Sequence, residues 1–325
     1  MQSSISLPKS KLPDVGTTIF TVMSNLAHQH NAINLSQGFP GFPIDPRLTT
    51  LVNEAMLAGH NQYAPMAGVP SLREAIANKL HGMYGCEYSP EDEITSTSGG
   101  TQALYTAIAA LLGEGDEVVI FTPAYDSYTP AVKLHGASPI YVQLQAPNYT
   151  IPWDEVKKLV SRKTKMIIIN SPHNPTGTLL SRNDLLELEK IVSGSDVVIL
   201  SDEVYEHIVM DGERHVSCCE IEGLRERTIA VFSFGKTLHA TGWKLGYAVA
   251  PKELMHEFRK VHQFNVFSAN NPMQHAIAKY ISDESTYSNL GSLFQEKRDF
   301  FLERLKGSRF EWIPTKGTYF QLLNY

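Results

Sequence analysis

Cysteine is scarce in this chain of 325 residues: there are three, Cys86, Cys218 and Cys219. Two are adjacent and none falls at a metal-type spacing, so neither a disulfide framework nor a zinc site is supported, and a reducing cytoplasm fits best. Positive charge is not in excess either. Twenty-eight Lys and Arg stand against 34 Asp and Glu, for a formal net charge of -6. No basic stripe interleaved with aromatics tracks a phosphate backbone, which argues against a nucleic-acid partner. Long apolar runs are missing. None reaches the ~18 residues of a membrane span, and the polar stretch Met1–Leu12 lacks the apolar centre of a signal peptide, so membrane insertion and secretion are not expected. P-loop and GxGxxG fingerprints are also absent, which weakens the case for ATP or NAD. What remains is an ordinary globular composition, 42% hydrophobic and 19% charged. It is long enough for one large α/β domain and a smaller one.

From about Thr95 to Ala250, helix-period stretches alternate with short β-branched runs, the pattern of crossover units and a largely parallel sheet. The predicted strands are Glu117–Phe121, Ser138–Val142, Lys165–Asn170, Asp196–Ser201, Thr228–Ser233 and Gly246–Ala250. Predicted helices between them include Gln102–Leu112, Trp153–Val160 and Arg182–Val192. Polar clusters follow several strand ends: Thr122-Pro123-Ala124-Tyr125, Ser171-Pro172-His173-Asn174, Asp202 and Lys236. In open α/β sheets that edge is where ligands bind. The flanks read differently. Leu7 to Pro46 is expected to be irregular, Met255 to Lys306 mostly helical, and the segments 310–314 and 317–323 a strand, a turn and a strand.

Lys236, in Ser233-Phe234-Gly235-Lys236-Thr237, ends an apolar strand and does not lie on a solvated helix face. Asp202-Glu203-Val204-Tyr205 follows a second strand of the buried kind. A desolvated amine, a carboxylate and a phenol at one edge are what pyridoxal 5'-phosphate (PLP) requires: an amine for a Schiff base, an anion beside the pyridine nitrogen, and a donor to the ring oxygen. Ser98-Gly99-Gly100-Thr101-Gln102 opens a helix and offers free N–H groups to a phosphate. Asn174, in the turn Asn170-Ser171-Pro172-His173-Asn174-Pro175-Thr176-Gly177, is held where its amide can donate to a ligand oxygen. Tyr125 can stack on a flat ring, and Lys244 lies in Thr241-Gly242-Trp243-Lys244.

On these motifs, together with Asn34-Leu35-Ser36-Gln37-Gly38-Phe39-Pro40 and Asn61-Gln62-Tyr63-Ala64-Pro65, the chain resembles class I/II aminotransferases of PLP fold type I. It is most similar to the branch of methionine aminotransferases and kynurenine/glutamine transaminases, and the match runs from about Asp14 to Tyr325. The resemblance implies a large domain with a mostly parallel central sheet flanked by helices, and a smaller discontinuous α+β domain. The corresponding division is an arm and part of the small domain in residues 1–46, the large domain in 47–285, and the start of the small domain's C-terminal part in 286–325. Lys236 is then the Schiff-base lysine, Asp202 the partner of the pyridine nitrogen, and Asn174 and Tyr205 the ligands of the ring oxygen, with Tyr125 stacked on the ring. Gly100, Thr101, Gln102, Ser233 and Lys244 hold the phosphate, and Tyr63 reaches it from the second subunit of a homodimer. Gly38, Phe39 and Asn174 face the substrate.

The implied activity is ping-pong transfer of an amino group from methionine, and from aromatic amino acids, to a 2-oxo acid. A PLP-dependent carbon–sulfur β-lyase and a non-catalytic binding or regulatory protein of the same fold are the alternatives. In this family the arginine that forks onto the substrate carboxylate lies well beyond the Gly-Thr-Tyr-Phe segment. With the sequence ending at Tyr325, the expectation is a partial chain with an incomplete small domain.

Overall fold

The structure, a computed structural model, describes residues 9–36, 38 and 40–325. Seven strands form one sheet: β1 (Ile94–Thr97), β2 (Glu117–Thr122), β3 (Ser138–Gln143), β4 (Thr164–Asn170), β5 (Val198–Asp202), β6 (Thr228–Ser233) and β7 (Gly246–Val249). Their order is β1-β7-β6-β5-β4-β2-β3, and every pairing is parallel except the two made by β7. The helices are α1 (Ile19–Gln29), α2 (Pro46–Leu57), α3 (Pro70–Tyr84), α4 (Gly100–Leu111), α5 (Tyr128–Leu134) and α6 (Trp153–Leu159). They continue with α7 (Arg182–Val192), α8 (Glu222–Arg225), α9 (Phe234–Thr237), α10 (Lys252–Asn265), α11 (Asn271–Ile281) and α12 (Leu290–Leu305).

Apolar residues run nearly unbroken through the central strands because both faces of the sheet are covered. The two-residue period sorts them. Val118 and Ile120 of β2 face Leu104 and Ile108 of α4, Val132 of α5 and Phe258 of α10. Val119 and Phe121 face the opposite core, with Val156 of α6 and Leu185, Leu188 and Val192 of α7. A third core gathers Leu48 of α2, Leu72, Ile76 and Leu80 of α3, and Ile277 of α11 against Ile94, Phe232 and Tyr247. Two parallel crossovers therefore bring the carboxyl ends of β4, β5 and β6 to one edge. Asn170 pairs with Asp202, and Asp202 with Val231.

The six predicted strands are β2 to β7, with ends shifted by a residue or two. β1 is additional: Ile-Thr-Ser-Thr carries one strongly apolar residue, so it makes no hydrophobic run, yet all four residues are buried. The N-terminal flank also departs from expectation. α1 occupies part of the stretch expected to be irregular, capped by Thr18, whose side chain accepts the Thr21 N–H at 3.3 Å. Ile19, Val22, Met23 and Leu26 do repeat at helical spacing, but none of them is buried.

The C-terminal flank forms no regular strands. Single antiparallel bridges join Glu311 to Asn324 and Val209 to Gly317. Thr318 turns the chain out of extended geometry at φ 62, and the Gln321 side chain takes the Thr315 N–H and the Ile313 carbonyl in place of a ladder. Among the described residues no helix is long and apolar enough to cross a membrane.

Candidate active site

The edge built by β4, β5 and β6 opens into a cavity of about 400 Å³. Gly38, Gly100, Thr101, Tyr125, Asn174, Asp202, Tyr205, Ser233, Lys236 and Lys244 all line it, so the structure gathers most of the predicted site residues in one place.

One end of the cavity is lined by the start of α4. Gly99, the N-cap of α4, has φ 85 and ψ 169, a region that any residue with a Cβ occupies at a cost of about 1–3 kcal/mol. The first main-chain donor of α4 with an acceptor is Ala103, which donates to the Gly99 carbonyl at 3.2 Å. The N–H groups of Gly100, Thr101 and Gln102 are left as the helix's open donors among the described residues, at the positive end of its dipole. Lys244 follows a short 3-10 turn in the left-handed region at φ 51 and reaches over this helix start. A Cβ placed on Gly99 would lie 3.5 Å from Lys244 Nζ. Gly100 has no room for a side chain, since a Cβ there would come within 2.9 Å of Val204.

The middle of the cavity holds the buried carboxylate. Tyr128 Oη donates to Asp202 Oδ2 at 2.6 Å, and the Val204 N–H donates to Oδ1 at 3.3 Å. Burial raises the Asp202 carboxyl to about 6, against the opposing effects of the Tyr128 and Val204 donors and Lys236. The Asn170 amide holds the Asp202 carbonyl at 2.8 Å, and Asn170 Oδ1 accepts the Asn174 N–H at 2.7 Å, so one asparagine ties the two strand-end segments together.

Lys236 stands one helical turn beyond β6. Its Nζ donates to Tyr319 Oη at 2.6 Å and lies 5.3 Å from the ring centres of Tyr205 and Tyr319. Burial lowers its amine to about 8, with Asp202 opposing and Lys244 adding to the shift. Tyr125 shares a hydrogen bond with Thr101 at 3.2 Å, and its ring packs edge-on to Tyr128 at 5.6 Å.

Two predicted residues, Gln102 and Tyr63, have side chains outside the cavity lining. The Gln102 side chain turns away from the cavity: its oxygen accepts the Ser98 N–H at 2.9 Å and its amide donates to Thr106 at 2.6 Å, leaving only its backbone N–H at the helix start. Tyr63 is 81% exposed, lies outside the cavity lining and packs edge-on against Phe267 at 5.1 Å. Phe39 lies outside the described residues.

Sequence reasoning in turn missed Tyr128, Phe20 and Tyr319. Tyr128 opens α5 three residues after Tyr125, a spacing visible in the sequence. Phe20 lies in α1, where the sequence predicts irregular chain, and Tyr319 in a segment whose pattern predicts a strand.

An amine, a carboxylate and a helix start with open N–H groups at one sheet edge are what a cofactor-dependent enzyme of the aminotransferase type requires. The aminotransferase class I and II family model matches residues 30–325, and the chain belongs to that family. A methionine aminotransferase of Escherichia coli is 47% identical over 326 aligned residues, 100% of this chain and 84% of that protein. A solved E. coli structure, described as having a methionine aminotransferase function, superposes with a TM-score of 0.95 at 46% identity, covering 98% of this chain and 84% of that one. The N-succinyldiaminopimelate aminotransferase of Mycobacterium tuberculosis superposes at 0.93 with 36% identity, covering 96% and 82%. Human kynurenine–oxoglutarate transaminase 1 is 33% identical over 91% of this chain and 75% of its own length. PLP is the general cofactor of this family.

Proposed function

We propose that this chain is a PLP-dependent aminotransferase that takes its amino group from methionine first and from aromatic amino acids second, and passes it to a 2-oxo acid. The observation that carries the reading is the placement of Lys236, a half-buried amine lowered to about 8, in the same cavity as Asp202 and the start of α4. The residues present fit the cofactor. Its dianionic phosphate matches three open N–H groups and Lys244, in a cradle that side chains on Gly99 or Gly100 would fill. Its ring nitrogen matches the Asp202 carboxylate, and its aldehyde the Lys236 amine. Ser233, Asn174, Tyr205 and Tyr125 complete the set, and Tyr63 is assigned to the neighbouring subunit of a homodimer. We keep the division into an arm, a large domain and a small-domain segment, and a cytoplasmic setting, in which the three buried thiols stay unpaired.

When bound, PLP supplies the electron sink that acidifies the substrate Cα–H. The chain's own residues do the rest. Asp202, buried and hydrogen-bonded by Tyr128 in the way that favours its ionised form, would pair with a cationic ring nitrogen. Lys236 would be the group placed to take the proton from Cα as base and then to deliver it as acid to the cofactor-side carbon. Tyr125 covers one side of the ring space, and Phe20, Tyr205 and Phe320 give the cavity aromatic walls. Aromatic faces attract both a thioether sulfur and flat side chains, which supports both donors, and the similarity to methionine aminotransferases supports placing methionine first.

The deciding assay supplies a panel of amino acids with and without a 2-oxo acid. Turnover of methionine only when the acceptor is present, with the acceptor's amino acid appearing in equal amount, is expected. Ammonia and a 2-oxo acid released from a thioether amino acid with no acceptor would instead identify a carbon–sulfur lyase.

A further inference from the structure

Resting on the assignment of Lys236 as the reactive amine, we propose that Tyr319 is a positioning residue for it. The phenol joins the segment at Gly38 and the C-terminal segment to Lys236 Nζ, and so sets where the amine stands and how firmly it keeps its proton. The hydrogen-bond chain has one direction. Tyr319 Oη donates its only hydrogen to the Gly38 carbonyl at 2.7 Å and accepts from Lys236 Nζ at 2.6 Å. A phenol so committed offers the lysine lone pairs alone, and an acceptor at that distance favours the ammonium over the free amine. Burial pushes the Tyr319 phenol up to about 12, so it remains neutral and retains the hydrogen it gives to Gly38.

The ring is held firmly. Tyr205, Phe294 and Phe320 surround it at centroid distances of 5.4, 5.6 and 5.0 Å. Gly38 permits the approach because it has no side chain: a Cβ there would fall 2.5 Å from Tyr319 Cε2 and 2.6 Å from Phe320 Cε1. The titratable groups around the amine are Asp202 on β5, Lys244 after the 3-10 turn, and the phenols of Tyr205 and Tyr319. Asp202 and Tyr319 favour the proton on Lys236, whereas burial and Lys244 oppose it. Tyr319 thus belongs to the reaction without touching Cα: it gives the protonated lysine a fixed resting geometry and couples that geometry to two segments that border the cavity.

The test is the pH profile of PLP capture by the cofactor-free protein, followed by absorbance and by the mass of the borohydride-reduced adduct. Capture condenses the neutral amine with the aldehyde and releases one water, so its rate reports the fraction of unprotonated Lys236. Tyr319→Phe keeps the ring packing and removes the acceptor. Its profile is expected to move to lower pH by about 0.5–1 unit, with faster capture at pH 7, from the loss of one hydrogen bond to a charged group.

Gly38→Ala displaces the phenol without changing Lys236 or Tyr319. It should move the profile the same way in the wild-type background and not at all on top of Tyr319→Phe. Equal profiles for wild type and Tyr319→Phe, or a Gly38→Ala shift that persists in the double variant, would overturn the proposal. No capture by the wild type would remove the reading of Lys236 itself, and this inference with it.

Discussion

At the residue scale, the candidate site holds two ionisable groups away from their ordinary behaviour. Asp202 is raised to about 6 and Lys236 is lowered to about 8, both chiefly by burial. Each shift costs folding stability near neutral pH. For Asp202 the folded form binds protons more tightly than the unfolded one, so its penalty grows as pH rises from 3.8 to about 6. For Lys236 the penalty is relieved as pH rises from about 8 to 10.5. A ligand carrying a cation for one and an aldehyde for the other offsets both, which is why such strain concentrates at functional sites. Tyr128 is the control on Asp202, because its donated hydrogen bond favours the ionised carboxylate. Tyr128→Phe should therefore raise the Asp202 pKa further, and the acid limb of PLP affinity should move up by about one pH unit. Titration of PLP binding between pH 5 and 8 checks this, and an unmoved limb would detach Tyr128 from the cofactor's affinity.

At the element scale, the segment that carries Asp202 and Tyr205 is anchored from behind by charge. Glu206 accepts from Lys79 of α3 at 2.7 Å and from Tyr84 at 2.6 Å, and Lys79 also donates to Tyr247 of β7 at 3.1 Å. Burial opposes ionisation of Glu206, yet Lys79 and His207 outweigh it and hold the carboxyl well below its usual range. One ion pair thus locks α3, β7 and the turn after β5 into register. Lys79→Met leaves a buried carboxylate without its cation and should cost about 3–5 kcal/mol. The midpoint of urea unfolding should fall accordingly with an unchanged slope, and adding Glu206→Gln should recover part of the loss. A single-variant cost below about 1 kcal/mol would mean that Glu206 finds water or another partner.

At the scale of the whole molecule, apolar side chains are left uncovered on α1 and at several other places. Val15, Ile19, Phe20, Val22, Met23 and Leu26 around α1 are exposed, as are Leu57, Tyr63, Phe264 and Phe267. Phe20 among them also lines the cavity, and such exposed apolar residues support the proposed homodimer. Complementation tests it. Equal amounts of Tyr63→Ala and Lys236→Ala chains, unfolded and refolded together, should regain about a quarter of wild-type sites, since half of the dimers are mixed and each mixed dimer holds one intact site. Mixtures no more active than the separate variants would place Tyr63 in the site of its own chain, or in none.

Much of this was decided by the sequence alone, where the deciding physics is local. The β-branched runs and intervening helical periods defined β2 to β7 in place, because a strand buried on both faces must be apolar along its whole length. Lys236, Asp202 and Asn174 were legible for the same reason: each follows such a run, and in a parallel sheet all those ends lie on one edge; Gly100 was legible instead as part of a glycine-led helix start. Other features depended on partners distant in the chain. β1 exists only because β7 pairs with it, and its own residues are mostly polar. The sequence places Gln102 at the helix start with an open backbone N–H, but only the packing of α10 against α4 decides that its side chain turns toward Thr106 and His262. Tyr319 is 83 residues from Lys236, and no local pattern encodes the bond between them. Local periodicity determines which segments are strands and where polar residues interrupt them. Which of those residues touch is set by burial and by chain closure over long loops, and only the tertiary structure supplies both.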